Sequence, residues 1–244
     1  MRIAVLGATG GTGRLLVRHA LERGHDVIAV VRDPANYRDP SRLQAPSRLQ
    51  DPSGLQDPSG LQDPSRLQDS SAAMNDHSRL TVVGADANDP DAMAKALNDL
   101  HEGAIVSGLG ITNGAPGVLS AGARAAVTAA PGHIVWLGAF GTGPSAAVAG
   151  PLTRGLLRMA LRKELPDKLA ADAAVLAAGG TVFHAGPLSD GPRSAGARAL
   201  PLTEARRGFP ARVSRESVAV LMLEEAERGR AGGSVLVPVD KQSL

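Results

Sequence analysis

Residues 1–13 read MRIAVLGATGGTG and contain the pattern that decides the fold. The run from Ile3 to Leu6 is apolar and partly β-branched, which is typical of a strand buried on both faces of a parallel sheet. Glycine then recurs at three-residue spacing, at Gly7, Gly10 and Gly13. After the last glycine, leucine and alanine recur at helical spacing. The segment therefore predicts a strand, a glycine-rich turn and a helix in immediate succession.

Each glycine of this turn suits one feature of dinucleotide binding. Gly7 permits the tight turn, Gly10 lets a pyrophosphate approach the backbone, and Gly13 lets the helix pack closely on the strand. The amides near Gly11 and Thr12 would point at the phosphates. A glycine triplet alone occurs in many folds, but a second buried strand follows the helix and completes a β-turn-α-β unit. The pattern thus favours dinucleotide binding over a purely structural turn.

The end of the second strand bears on which dinucleotide binds. The run from Val27 to Val31 is followed by Arg32, where an aspartate or glutamate would hold the ribose 2′-hydroxyl of NAD. An arginine at that position can pair with a 2′-phosphate. NADP(H) is therefore favoured over NAD(H), although the adjacent Asp33 could serve the opposite preference.

The composition of the 244 residues excludes several classes of protein. Hydrophobic residues make up 43% and charged residues 20%, as in a soluble globular protein. Lys+Arg is 26, Asp+Glu is 24 and aromatics are 2%, so we expect no nucleic-acid partner. The absence of cysteine excludes disulfides and thiolate sites, and the six histidines lack metal-ligand spacing, so no metal is expected. We expect a cytoplasmic monomer or homodimer without a membrane span that binds a small-molecule substrate.

A hexapeptide repeat interrupts the pattern after the second strand. Five copies of a DPSRLQ-type sequence begin at Asp39. One proline in six residues prevents a continuous helix, and one leucine in six offers too little apolar surface to offset the chain entropy. We interpret residues 39–73 as a flexible insertion, because the alternative, a hexapeptide solenoid, needs denser apolar positions.

The rest of the chain continues the alternation of strands with helices. Strands are predicted at 80–83, 104–106, 133–137 and 235–239, and helices at 91–100, at 118–130, over Arg154, Arg158, Arg162 and Lys163, and after Ser214. This alternation predicts an α/β fold with a doubly wound parallel sheet, a single Rossmann domain over residues 1–244 with the repeat as an insertion. Ligands of such sheets bind at the carboxyl ends of the strands.

Taken together, these motifs resemble those of the atypical short-chain dehydrogenase/reductases. The residues that carry the resemblance are GATGGTG at 7–13, VVRDP at 30–34, the turn at 84–86 and TVFHAGPLSDGP at 181–192. The resemblance extends over almost the whole chain except the repeat. The group includes flavin or biliverdin reductase-like proteins and relatives of the nitrogen-metabolite regulators, and the resemblance implies a Rossmann domain that binds NAD(P)H.

The resemblance also implies a set of residues around the cofactor. The glycine-rich turn would lie under it, Arg32 would meet the 2′-phosphate, and Asp86 would lie beside the adenine. The turn at 107–109 would flank the ribose, Lys168 would hold ribose hydroxyls, and the backbone of 185–188 would meet the nicotinamide. In chain order, the predicted contacts are Gly7, Thr9, Gly10, Gly11, Thr12, Gly13, Arg32, Asp86, Ser107, Gly108, Leu109, Lys168, Ala185, Gly186 and Leu188.

The catalytic pair of the wider superfamily is incomplete in this chain. There a Tyr-x-x-x-Lys pair supplies the proton; Lys168 would be its lysine, but Glu164 occupies the tyrosine position and the sole tyrosine, Tyr37, lies beside the repeat. A flavin or similar conjugated acceptor can take its proton from water. We therefore expect NADPH-dependent hydride transfer to a flavin, quinone or similar small acceptor, with His184 and Lys168 as catalytic candidates.

Ordinary structural roles are the alternatives for several of these residues. Asp86 could cap the following turn, Ser107 could close a turn, Lys168 could be a solvated lysine, and a lone histidine such as His184 is often structural. At the level of function, a non-catalytic NADP(H)-sensing regulatory protein is the alternative, because the loop at 138–141 lacks polar side chains. An epimerase or dehydratase is disfavoured by the missing tyrosine.

Overall fold

Strands and helices alternate along the chain as the sequence predicts. A computed structural model describes residues 1–40, 79–98, 100–111, 116–160, 162–206, 208, 211–229 and 232–240. The strands are β1 (Arg2–Leu6), β2 (Asp26–Val31), β3 (Leu80–Gly84), β4 (Ala104–Ser107), β5 (His133–Ala139), β6 (Thr181–Ala185), β7 (Leu188–Ser189), β8 (Arg198–Pro201), β9 (Val213–Ser214) and β10 (Ser234–Val239). The helices are α1 (Gly11–Glu22), α2 (Pro90–Ala96), α3 (Val118–Thr128), α4 (Ala146–Ala160), α5 (Leu165–Ala177) and α6 (Arg215–Arg228).

Eight strands form one sheet in the order β3-β2-β1-β4-β5-β6-β10-β8. Every neighbouring pair is parallel except β8 with β10, while β7 and β9 form a separate parallel pair. The order reverses at β1, which pairs with β2 on one side and β4 on the other, so a crevice opens at their carboxyl ends. The predicted doubly wound fold is confirmed. Most of the repeat, from residue 41 on, lies outside the described residues.

Both faces of the sheet are covered, which explains why the strands are continuous apolar runs. Ile3 and Val5 of β1 face a core that α1 and α6 complete. Ala4 and Leu6 face the opposite core, which contains residues of α2, α3 and α5. The carboxyl ends of the central strands therefore belong to a sheet that is packed on both sides.

Two helix predictions need correction. The helix predicted over 91–100 ends at Ala96, although Leu97 and Leu100 are buried and made the pattern look helical. The basic residues predicted on one helix are divided, because α4 ends at Ala160 and leaves Arg162 and Lys163 in the turn before α5. Pro166, in the first turn of α5, favours a new helix start there.

Candidate functional site

A cleft of about 510 Å³ opens at the carboxyl ends of the central strands. It lies where the strand order reverses, which is where ligands of doubly wound sheets bind. Most predicted cofactor contacts line it: Gly7, Thr9, Gly10, Gly11, Thr12, Arg32, Asp86, Gly108, Leu109, Lys168, Ala185, Gly186 and Leu188. The two that do not line the cleft are Gly13 and Ser107.

The turn between β1 and α1 requires glycine for steric reasons. Gly7 has a φ of +73°, and an ideal Cβ there would lie 3.0 Å from the backbone of Leu109. An ideal Cβ on Gly13 would lie 2.0 Å from the carbonyl oxygen of Gly7. Gly13 thus acts from behind the cleft, since its missing side chain lets α1 begin directly against the turn.

The first turn of α1 presents unpaired amide groups to the cleft. Arg14 makes the first bond of the helix, donating its N–H to the carbonyl of Gly10 at 3.0 Å. The N–H groups of residues 11–13 therefore have no acceptor among the described residues, and no side chain caps the helix. These donors and the positive end of the helix dipole make the turn suitable for an anion.

Arg32 and Asp33, adjacent in sequence, face different surroundings. Arg32 is exposed, lines the cleft and makes no ion pair with a described residue. The Asp33 carboxylate accepts hydrogen bonds from the N–H of Ala35 at 3.0 Å and from Nδ2 of Asn36 at 2.6 Å. It thereby caps a short 3-10 helix and does not line the cleft.

Asp86 and Ser107 each make a local hydrogen bond. Oδ1 of Asp86 accepts from the N–H of Asn88 at 2.8 Å, so Asp86 caps its turn while still lining the cleft. Oγ of Ser107 accepts from the N–H of Leu109 at 3.3 Å, and Ser107 is buried. Ser107 therefore shapes the turn at 107–109 from behind the cleft surface.

Lys168 lines the cleft from α5, and its neighbour Asp167 fixes that helix in place. The Asp167 carboxylate accepts from the N–H of Leu119 at 3.0 Å and of Ser120 at 2.9 Å, at the start of α3. Burial acts to raise the pKa of Asp167, but these hydrogen bonds outweigh it and hold the pKa below its ordinary value. Glu164, at the position of the superfamily tyrosine, does not line the cleft.

His184 lies behind the cleft in a buried chain of hydrogen bonds. Its Nε2 is 3.1 Å from Oδ2 of Asp172, and its Nδ1 is 2.7 Å from Oγ of Ser145. Ser145 Oγ also accepts from the N–H of Gly141 at 2.8 Å and lies 2.9 Å from the carbonyl oxygen of Thr142. The Ser145 proton goes to the imidazole or to that carbonyl according to which ring nitrogen is protonated.

These hydrogen bonds hold His184 against the turn after β5. His184 and Ser145 are 0% exposed and Asp172 is 2% exposed, and both ring nitrogens have partners. The imidazole therefore has no nitrogen open to a substrate, and the catalytic role of His184 stays a prediction. Asp172 and Ser145 were missed because no sequence spacing relates them to His184. The position of Asp172 between pairs of alanines in α5 was the available hint.

Arg215 is a cleft residue that sequence analysis also missed. Its Cδ would be 3.1 Å from an ideal Cβ on Gly11, so its stem covers the glycine-rich turn. Its Nη1 is 2.6 Å from Oδ1 of Asp190, in the segment that follows β7. The next residue, Glu216, pairs with His19 of α1 at 2.8 Å and ties the two helices together. Only the fold brings this arginine to the glycine motif.

The described residues contain neither a cluster of metal ligands nor a helix that could span a membrane. No group of three or more His, Cys, Asp or Glu side chains there is arranged to hold a metal ion. No helix in the described segments is long and apolar enough to cross a membrane. The cytoplasmic location and the monomeric or homodimeric state stay predictions.

Comparisons with known proteins agree with this geometry. A family profile described as NAD(P)H-binding matches residues 7–50 and 60–228. No curated protein sequence matches the chain. Among solved structures, ChuY, an anaerobilin reductase from Escherichia coli O157:H7, has a TM-score of 0.68 and 17% identity over 99% of this chain and 98% of its own.

Two further structures extend the likeness. The oxidoreductase ylbE from Lactococcus lactis has a TM-score of 0.67 and 15% identity over 98% of this chain and 91% of its own. A short-chain dehydrogenase/reductase from Veillonella parvula has a TM-score of 0.65 and 14% identity over 99% and 95%. At these identities the structures show the fold, whereas the family profile covers most of the chain. The chain belongs to the NAD(P)H-binding family of Rossmann-fold proteins, as its resemblance to the atypical short-chain dehydrogenase/reductases predicts.

Proposed function

We propose that the chain is an NADPH-dependent reductase that transfers a hydride to a flavin, quinone or similar small conjugated acceptor. Bound NADPH would supply the hydride, which carries two electrons, and the reduced acceptor would take its balancing proton from water. One observation carries the choice of NADPH: Arg32 lines the cleft without an acidic partner among the described residues, while Asp33 is bound to its own turn.

The residues of the cleft fit the charges of this cofactor. The free N–H groups of residues 11 and 12 and the guanidinium of Arg215 suit a pyrophosphate, and Arg32 suits the additional 2′-phosphate. An NAD-specific cleft would instead offer a carboxylate to the ribose hydroxyls. Asp33 is the nearest such group in sequence, and its carboxylate already accepts two hydrogen bonds.

The opposite end of the cleft supports a reaction that depends on positioning. Its lining includes Gly138, Ala139, Ala185 and Leu188, and Lys168 is the titratable residue there. A carbonyl substrate needs an acid to protonate the developing alkoxide, whereas a conjugated acceptor spreads the charge and is protonated by water. The residues of this chain would therefore orient the acceptor against the cofactor and keep the reacting face apolar.

A paired titration tests the cofactor assignment. Binding of NADPH and NADH is measured by calorimetry for the wild type, for Arg32→Ala and for Arg2→Ala, a matched control that removes an exposed arginine at the amino end of β1. We expect Arg32→Ala to weaken NADPH binding roughly 10- to 100-fold and to change NADH binding less than about twofold. Equal losses for the two cofactors would contradict the assignment of Arg32 to the 2′-phosphate.

A panel of acceptors tests the reaction. Oxidation of NADPH is followed with a flavin, a quinone and a simple aldehyde as acceptors, and we expect turnover above background with the conjugated acceptors only. Binding of NADPH without turnover of any acceptor would contradict the reductase and direct attention to a sensing role. No observation on the described residues favours that role over the reductase.

A further inference from the structure

A second cavity, of about 360 Å³, lies on the turn that follows β5. Its walls are the turn at 141–143, the helix α4 and two leucines of α5, Leu165 and Leu169. The helix α4 bends at Gly150, where φ is +75° and ψ is 165°, and Pro151 follows. The second half of α4 lies against the turn after β5, where Leu157 contacts Gly141, and forms one wall of the space.

The two cavities share the same structural elements. Gly138 and Ala139 line the cleft, and Gly141, two residues further along the same turn, lines the second cavity. On α5, Lys168 lines the cleft while Leu169 lines the second cavity. The two cavities are therefore built from neighbouring residues of the same turn and the same helix.

The wall of the second cavity is apolar with one charged group. It consists of glycine, alanine, proline and leucine residues together with Thr142 and Arg154. The Thr142 hydroxyl donates to the carbonyl of Ala139 at 2.8 Å and is already engaged. Arg154 is exposed and makes no ion pair with another described residue. The cavity thus offers apolar contact and one cation.

The turn that forms the floor of this cavity is held rigidly. The buried chain of Ser145, His184 and Asp172 binds it through the N–H of Gly141. An ideal Cβ on Gly141, whose φ is +90°, would lie 2.3 Å from Cδ1 of Leu157, so the backbone touches α4 there. Buried polar groups that are fully paired fix a single arrangement of the backbone around them. The cavity is therefore preorganised, which lowers the cost of binding.

We propose that this second cavity binds the acceptor of the reductase, and that the acceptor is a flat, apolar molecule with a carboxylate or similar acidic group that pairs with Arg154. The inference rests on the proposed function and specifies its substrate class. The apolar walls would hold the conjugated body of the acceptor, with its reducible end toward Lys168 and its acidic group toward Arg154. Neutral acceptors of the same shape would bind more weakly.

A matched pair of probes tests the inference by binding as well as by turnover. Anthraquinone-2-carboxylate and anthraquinone-2-carboxamide share a flat quinone body and differ in charge. Calorimetry with NADP+-saturated protein gives their dissociation constants for the wild type, Arg154→Gln and Arg124→Gln. Arg124 is an exposed arginine on α3 that does not line this cavity and serves as the control.

We expect the loss of affinity to depend on the charge of the probe and on which arginine is replaced. Arg154→Gln should weaken the carboxylate probe roughly tenfold and the carboxamide less than about twofold, and Arg124→Gln should change neither. The Michaelis constants for reduction of the two probes should move in the same way. Equal weakening of both probes by Arg154→Gln, or no weakening of the carboxylate, would overturn the pairing.

A second variant tests whether the probes occupy the cavity itself. Gly155 lines it, and an ideal Cβ there has no atom within 4 Å, so Gly155→Leu can fill the space and also favours the helix. We expect this variant to weaken both probes more than tenfold and to bind NADPH as the wild type does. Undiminished binding of both probes, or no binding to the wild type, would overturn the inference.

The experiments distinguish failure of the proposed reductase function from failure of the inferred acceptor site. If the carboxylate probe binds in an Arg154-dependent manner but no acceptor is reduced by NADPH, the reductase is contradicted and the ligand class of the cavity is supported. If NADPH reduces acceptors but neither variant changes probe binding or the Michaelis constants, the reductase is supported and the cavity is not its acceptor site.

Discussion

Replacement of Arg215 by glutamine tests the structural account of phosphate binding most directly. The aliphatic part of the Arg215 side chain lies over Gly11, beside the free N–H groups of the first turn of α1. In the structure its Nη1 pairs with Oδ1 of Asp190 at 2.6 Å. A bound pyrophosphate and Asp190 would therefore compete for the same guanidinium.

The relative size of the two interactions decides the expected effect. The Asp190 side chain is 92% exposed, and an exposed ion pair is worth about 0–1 kcal/mol. Charge-assisted hydrogen bonds from arginine to a phosphate are worth about 1.5–3 kcal/mol. Arg215→Gln should therefore raise the dissociation constants of NADPH and NADH alike, roughly 10- to 100-fold. Asp190→Asn removes the competitor and should tighten both by roughly two- to fivefold.

Calorimetric titration of both cofactors separates this effect from that of Arg32. Loss of Arg215 affects the pyrophosphate that both cofactors contain, whereas loss of Arg32 affects the 2′-phosphate of NADPH alone. Arg193→Gln is the control, because Arg193 pairs with Glu224 at 3.0 Å nearby without lining the cleft. If Arg215→Gln leaves both dissociation constants within about twofold of the wild type, the guanidinium does not contact the pyrophosphate and the reasoning is refuted.

Three further predictions concern the scaffold. Asp167→Ala should lower the free energy of unfolding in urea by about 1–2 kcal/mol through loss of the α3 cap. Because the pKa of Asp167 is lowered, its contribution to stability is present above about pH 4 and is lost in acid. An unchanged urea midpoint of unfolding would contradict this prediction. Burial, with the charge of Asp39 as a smaller cause, raises the pKa of Tyr37 to about 12, so the absorbance of this sole tyrosine should titrate near pH 12. The stability that Tyr37 confers is complete below about pH 10 and is lost toward pH 12. A titration midpoint near pH 10 in the native protein would refute the burial of the hydroxyl. Burial lowers the pKa of His133 despite the opposing charge of Glu225. Stability should therefore fall as the pH drops below about 6.5, because the histidine of the unfolded chain takes up a proton first. His133→Gln should reduce this dependence of the free energy of unfolding on pH, measured by urea titration at several pH values.

The fold could be predicted from sequence because its signals are local. The strand, glycine turn and helix at the start of the chain lie within one short segment, and each later buried strand is a continuous apolar run. One of the two helix errors occurs where a buried residue is not in a helix. Leu100 is buried like a helical core residue, yet the chain has already left α2 at Ala96. An apolar pattern indicates which residues are buried, but it does not show whether the backbone at those residues is helical.

The site could be predicted only in the part that the glycine motif and the family resemblance specify. Arg215 reaches the glycine turn because α6 packs against α1, an interaction between the two ends of the chain. The partners of His184 come from α5 and from the turn after β5. Contacts of this kind depend on how the elements pack, and no spacing in the sequence encodes them.

The distribution of unpaired polar groups distinguishes ligand-binding residues from scaffold residues in this protein. A buried polar group without a partner costs about 1–3 kcal/mol, so the buried His184, Asp172 and Ser145 bind one another. An exposed group is paired by water at no such cost and can exchange that water for a ligand. Arg32 and Gly11, whose N–H has no acceptor in the helix, are exposed and are of this second kind. A histidine is the more usual catalytic residue by type, but both ring nitrogens of His184 are paired in this fold, whereas the groups that the chain leaves unpaired are available to a ligand in the cleft.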